Sequence, residues 1–122
     1  MVSVLISSES RYKVNRVKIR QTVEEFLDRA GLDQAEVSFL VVGERKMSFL
    51  NYRFRKIKKA TDVLSFPQES ARGPDEILRL GDIVVCYPVA RAEAAKENKM
   101  VDEKICELVE HGLRHLLGEH HD

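Results

Sequence analysis

All four histidines of this 122-residue chain, His111, His115, His120 and His121, fall within its last twelve positions. His111 and His115 are four apart, so on a helix they stack on one side. Gly118 follows as the expected helix stop, because glycine enters the left-handed conformation easily. The chain can then reverse and bring His120 or His121 back beside the other two. Counted through His121, the pattern is His-x3-His-x5-His. Three neutral imidazoles can hold Zn²⁺ in a tetrahedron whose fourth position stays open to water. A metal so held lowers the pKa of bound water and polarises a phosphoryl or carbonyl oxygen, which is the chemistry of hydrolysis. Histidine-only sites also suit nickel, copper or cobalt. A His-Glu-x-x-His protease carries its general base directly after the first ligand. Gly112 stands at that position here, which argues against peptide hydrolysis.

Two further segments carry chemistry. Arg53 to Lys59 holds five basic residues in seven and no acid. Such a run is either a solvated face or a patch that contacts phosphates. Phe54 within it is assigned to the core rather than to base stacking. Thr61-Asp62-Val63-Leu64-Ser65-Phe66-Pro67 follows at once. Asp62 and Ser65 there either orient a ligand or satisfy turn amides.

Something must position these residues. From Val101 at 100° per residue, Ile105, Leu108, Val109, Gly112 and Leu116 form one buried stripe, with His111 and His115 at its edge. Glycine inside a helix costs about 1 kcal/mol against alanine, so Gly112 suggests either close approach by another backbone or a plain packing gap. Asp102 is the expected cap of this last helix, which runs to about Leu117. Upstream, Val2, Val4 and Ile6 alternate as a strand. Val14, Val17, Val23, Phe26, Leu27 and Ala30 recur at helical spacing, with Gly31 as the stop. Glu36 to Val42 reads as a strand, Glu44 to Phe54 as a short helix, and Asp62 to Phe66 as a short β segment. Gln68 to Ile77, with Gly73-Pro74, reads as a mobile loop. Leu80 to Tyr87 reads as a buried strand, and Pro88 opens a helix over Val89 to Lys99. The order β-α-β-α-β-loop-β-α-α predicts one domain over residues 1–122, an α+β or α/β layer with helices packed on a single four-stranded sheet, and α+β is the class adopted.

Composition narrows the class. Twenty basic residues balance twenty acidic ones, which excludes a uniformly basic nucleic-acid-coating protein but not a local basic patch. No apolar run approaches the roughly 18 residues of a membrane helix, so no membrane partner is expected. Cys86 and Cys106 form no CxxC pair and make no disulfide framework. They read as half-buried thiols of a reduced, cytoplasmic protein.

Three segments occur in order: Thr-Asp-Val-Leu-Ser-Phe-Pro at 61–67, Leu-Gly-Asp-Ile-Val-Val-Cys at 80–86, and His-Gly-x-x-His-x-x-Gly-x-x-His at 111–121. Together they resemble the YbeY family of bacterial rRNA maturation factors. The resemblance implies an α+β fold on a mixed sheet, with a zincin-like metal helix near the C-terminus. It implies a metal-dependent, single-strand-specific endoribonuclease that matures the 3′ end of small-subunit ribosomal RNA and serves ribosome quality control. Its partners would be ribosomal RNA, the small ribosomal subunit and ribosomal or assembly proteins. It implies one zinc ion on His111, His115 and His121. It also places Arg55 near the substrate phosphate, where a planar bidentate donor stabilises growing negative charge. Lys56, Lys58 and Lys59 would then guide the RNA backbone. A ribosome-assembly RNA-binding protein with a structural zinc, or another zinc-dependent phosphoester hydrolase, are the competing readings. The chain departs from the family pattern at Ala60, at Arg114 and at Glu119-His120. Arg114 either pairs with Glu110 one turn earlier or contacts phosphate beside the metal.

Overall fold

A computed structural model describes residues 2–9, 11–68 and 75–118. Strand β1 (Val2–Ser8) leads into helix α1 (Arg16–Arg29), strand β2 (Ala35–Val42) and helix α2 (Glu44–Arg55). Strands β3 (Val63–Pro67) and β4 (Leu78–Cys86) follow, then helices α3 (Tyr87–Lys96) and α4 (Val101–Leu116). The sheet order is β1-β2-β4-β3. β1, β2 and β4 run parallel, and β3 lies antiparallel on the β4 edge. The expected mixed four-stranded sheet with packed helices is what forms.

Alternation along the strands divides the core in two. Val37, Phe39 and Val41 of β2, with Ile83 and Val85 of β4, meet α1 and α4 through Ile19, Val23, Leu27, Ile105 and Val109. Val42, Val84 and Cys86 point the other way, toward Met47 of α2 and Leu64 of β3. Both faces of β4 are therefore covered, which is why its sequence reads as an almost unbroken apolar run.

A bulge interrupts the β2–β4 ladder. Glu36 pairs with Arg79 but Val37 pairs with Gly81, leaving Leu80 as the extra residue. Gly81 takes φ +133° there, a conformation that side chains rarely adopt. The bulge aims the Leu80 carbonyl at the Gln68 N–H, which donates to it at 3.1 Å.

The structure corrects several local expectations. α1 begins at Arg16, with the Asn15 side chain accepting the Lys18 N–H. Val17 is 64% exposed, and Ile19 takes the core position instead. The residue before α4 is Met100, whose N–H donates to Glu103; Asp102 lies inside the first turn. α3 is shifted upstream, because Pro88 fits its first turn and Asn98, with φ 57°, lies beyond its end. The neighbour that Gly112 accommodates is the Ile83 side chain, not a backbone: a Cβ at Gly112 would lie 2.8 Å from Ile83 Cγ2. Phe54 is 58% exposed and meets Phe66 edge-on, outside the core. Most of the loop expected at 68–77 lies outside the described residues, and Leu78 and Arg79 at its far end already belong to β4.

Cys86 is buried and Cys106 half-buried, and both are free. Burial raises the pKa of both thiols above the usual cysteine value, so neither is an activated nucleophile. No helix among the described residues is long and apolar enough to cross a membrane.

Candidate active site

The amphipathic pattern of α4 buries Ile105, Leu108, Val109, Gly112 and Leu113. That leaves His111 and His115 on the exposed flank, their ring centroids 4.6 Å apart. β3 runs alongside this flank. The Ser65 hydroxyl donates to the Gly112 carbonyl at 3.4 Å, so Ser65 ties strand to helix. Between them lies a cavity of about 430 Å³, lined by Arg55, Thr61, Asp62, Ser65, His111 and His115 among others. Two of the three expected ligands and the expected arginine thus share one concavity, although over fifty residues separate them in sequence.

The third expected ligand, His121, lies outside the described residues, as does His120. Among the described residues no cluster of three His, Cys, Asp or Glu side chains converges at metal-binding distance. The donor chemistry of the cavity nonetheless fits a borderline transition metal. Two exposed imidazoles from consecutive turns line one space, and imidazole nitrogen is a common ligand of such metals.

Arg55 ends α2. Lys56 follows in the left-handed conformation, φ 62°, which turns the chain sharply. Lys56, Lys58 and Lys59 are exposed beside the cavity rather than within its lining. Lys56 Nζ and Lys58 Nζ lie 5.9 and 5.2 Å from the centre of the Tyr52 ring. Asn51 holds this basic segment in place. It is 2% exposed, and its Nδ2 donates to the Lys59 carbonyl at 2.8 Å. Sequence reasoning missed Asn51, yet the signal was present: a polar residue four after Met47, on the buried side of α2.

It also missed the group behind Asp62. Asp62 accepts the Cys86 N–H on its backbone carbonyl at 2.9 Å, and its side chain meets Glu93 of α3. Glu93 Oε1 is shut from solvent with no hydrogen-bond partner among the described residues. Lys104 Nζ stands 3.8 Å from it, more closely engaged with Glu97 at 2.9 Å. Burial first, then the Asp62 charge, raises the Glu93 pKa above its usual 4.5, while Lys104 opposes the rise. A carboxyl whose folded pKa is raised destabilises the fold at pH values above it and ceases to do so below the unfolded value. Glu93→Gln supplies a neutral donor to Asp62. It should raise stability near neutral pH by about 1 kcal/mol, with the gain vanishing below the ordinary carboxylate pKa of 4.5. Thermal denaturation of both proteins across that range checks this.

Arg114 points away from the cavity. It pairs with Glu110 at 3.7 Å and lies 5.9 Å from the Phe26 ring centre. The helical ion pair expected from their spacing is the arrangement that forms.

A helix bearing paired histidines, set against the edge strand of a mixed sheet with an arginine opposite, defines a hydrolase-like α+β protein. Residues 5–122 match the sequence profile of the family described as Endoribonuclease YbeY. The endoribonuclease YbeY of Cellvibrio japonicus is 39% identical over 121 residues, covering 98% of this chain and 67% of the relative. That of Aquifex aeolicus is 35% identical, covering 98% and 77%. The solution structure of a Thermotoga maritima protein superposes with a TM-score of 0.63 at 26% identity, covering 100% of this chain and 75% of that one. The chain belongs to the YbeY family of endoribonucleases.

Proposed function

We propose that this chain is a metal-dependent endoribonuclease that cuts single-stranded RNA, with residues 1–122 acting as one domain. We assign its biological task as 3′-end maturation of small-subunit ribosomal RNA and ribosome quality control in the cytoplasm, in contact with the small subunit and its assembly proteins. The observation that carries the reading is the shared cavity of Arg55, His111 and His115. Together with His121, the two histidines would hold one zinc ion. When bound, the metal supplies Lewis acidity toward a phosphate oxygen and an acidified water.

The remaining roles fall to the chain itself. Arg55 presents a planar, always-charged fork to the phosphoryl oxygens as negative charge grows on them. Ser65 and Asp62 fix the wall opposite the histidines, through Gly112 and through Glu93 and Cys86. Lys56, Lys58 and Lys59 draw the strand across the opening. Counterion release makes such binding salt-dependent, with a slope of about −0.7 per neutralised phosphate on single strands. Replacing all three lysines by alanine should therefore flatten the plot of log affinity against log salt by about 2. Titrations of a labelled oligoribonucleotide at several salt concentrations test this.

The reading itself is tested by elemental analysis of the untagged protein together with cleavage assays. One zinc per chain, lost as pH drops through the histidine range because protonated imidazole cannot ligate, is the expected result. Protein without stoichiometric metal that still cleaves RNA would refute it.

A further inference from the structure

Beyond the histidine cavity, the outward face of α2 carries an unusual combination of side chains. Met47 and Asn51 are its buried side. Arg45, Phe49 and Tyr52 therefore fall on the opposite side, at positions i, i+4 and i+7. Phe49 is 58% exposed and Tyr52 45%. Large aromatic rings this open on a helix face are the informative kind of exposure.

The charge around them is one-sided. Between Glu44 and Lys59 there are seven basic residues and one acid, a net of +6 in a chain whose total is 0. The other 106 positions therefore carry a net of −6. Cations reach one of the two rings: Lys56 and Lys58 stand over Tyr52. The strip is also continuous with concave ground at both ends. At its C-terminal end Arg55 lines the histidine cavity. At its N-terminal end Arg45, Lys46 and Phe49 line a second cavity of about 740 Å³, shared with Arg11 and Tyr12 and with the acids Glu9 and Glu44. The helix between them has twelve residues, about 18 Å of track at 1.5 Å per residue.

We propose that the outer face of α2 is a binding track for single-stranded RNA, with the neighbouring rings of Phe49 and Tyr52 stacking successive bases and the exposed cations bordering them, Arg45, Arg53, Lys56 and Lys58, neutralising the phosphates. The proposal rests on the ribonuclease reading of the neighbouring cavity and extends it to the strand that leaves that cavity. Neighbouring flat rings bordered by cations match a polymer that carries both stackable bases and charged phosphates. A duplex hides its base faces, so exposed rings gain nothing from it. An apolar protein partner would meet a face broken by charges.

The test compares the parent with the Phe49→Ala/Tyr52→Ala double variant by fluorescence anisotropy of a labelled single-stranded oligoribonucleotide. Both positions are exposed, and circular dichroism confirms the fold. Affinity should drop at least about tenfold, while Tyr52→Phe retains it, because the ring face and not the hydroxyl does the binding. The chain has no tryptophan, so Tyr52→Trp places a single emitter in the track. Its fluorescence should quench as RNA saturates the protein. Unchanged affinity of the double variant, absent quenching at saturation, or equal weakening toward a duplex would each overturn the proposal. So would a loss confined to intact ribosomal subunits, which would mark the face as a protein contact. Anisotropy reports binding whether or not the strand is cut. A chain that binds through these rings but does not cleave refutes only the nuclease reading, and one that cleaves but binds normally without them refutes only the track.

Discussion

His115→Ala should lower cleavage of single-stranded RNA by more than about 100-fold, some 2.7 kcal/mol of transition-state stabilisation, while the protein stays folded and still binds RNA. The fold survives because His115 is exposed on the last turn of α4, and alanine is the better helix former. Binding should survive because the cations proposed to meet the backbone lie on α2 and the segment after it. Loss of a group that merely orients a metal ligand commonly costs 10- to 100-fold, so loss of a ligand itself should cost more. Metal content should fall in parallel. The measurement is initial cleavage rate beside metal stoichiometry and anisotropy on one preparation. Retained cleavage would remove the histidines from the chemistry. Joint loss of binding and cleavage with the fold intact would favour an RNA-binding protein whose zinc is structural.

Gly81→Ala should destabilise the protein by about 3 kcal/mol or more, the largest stability effect expected of a glycine-to-alanine change among the described residues. Two costs combine. The φ of +133° alone is worth about 1–3 kcal/mol for a residue with a side chain. In addition, a Cβ there overlaps the carbonyl oxygen of Phe66 and lies 3.0 Å from Pro67 Cα. Both obstacles are backbone of β3, and backbone in a paired strand cannot swing aside. Gly112→Ala is the instructive contrast. Its obstacle is the Ile83 side chain, and the helix gains about 1 kcal/mol from alanine. Much of the overpacking cost is thereby offset. Urea denaturation of the two variants should separate them clearly, and a Gly81→Ala protein as stable as the parent would deny the bulge its structural role.

Elements with a repeating apolar signal were legible in the sequence. α4 was readable because its stripe is long, and β4 because both its faces are covered. The boundaries were less so. Val17 fits the helical period of α1, yet Ile19 is buried in its place, since period alone does not say which flank meets the sheet. Phe54 was misassigned because hydrophobicity does not report that α2 ends there and turns its last residues outward. The site was legible where chemistry is local, as in His111 and His115. The Asp62–Glu93 contact joins two elements 31 positions apart and offers no spacing rule. Asn51 lay between these cases: its position on the buried face was readable, its Lys59 partner was not.

The strand order has a consequence for how the chain acquires activity. β4 sits between β2 and β3, so β3 has no ladder to join until residues 78–86 have left the ribosome. α4, which supplies the imidazoles, emerges later still. An amino-terminal portion in mid-synthesis can pair β1 with β2 and form α1, but it holds the arginine and the basic segment without the groups they serve. The cavity shared by Arg55, His111 and His115 is thus assembled only once the last helix of the chain has been made.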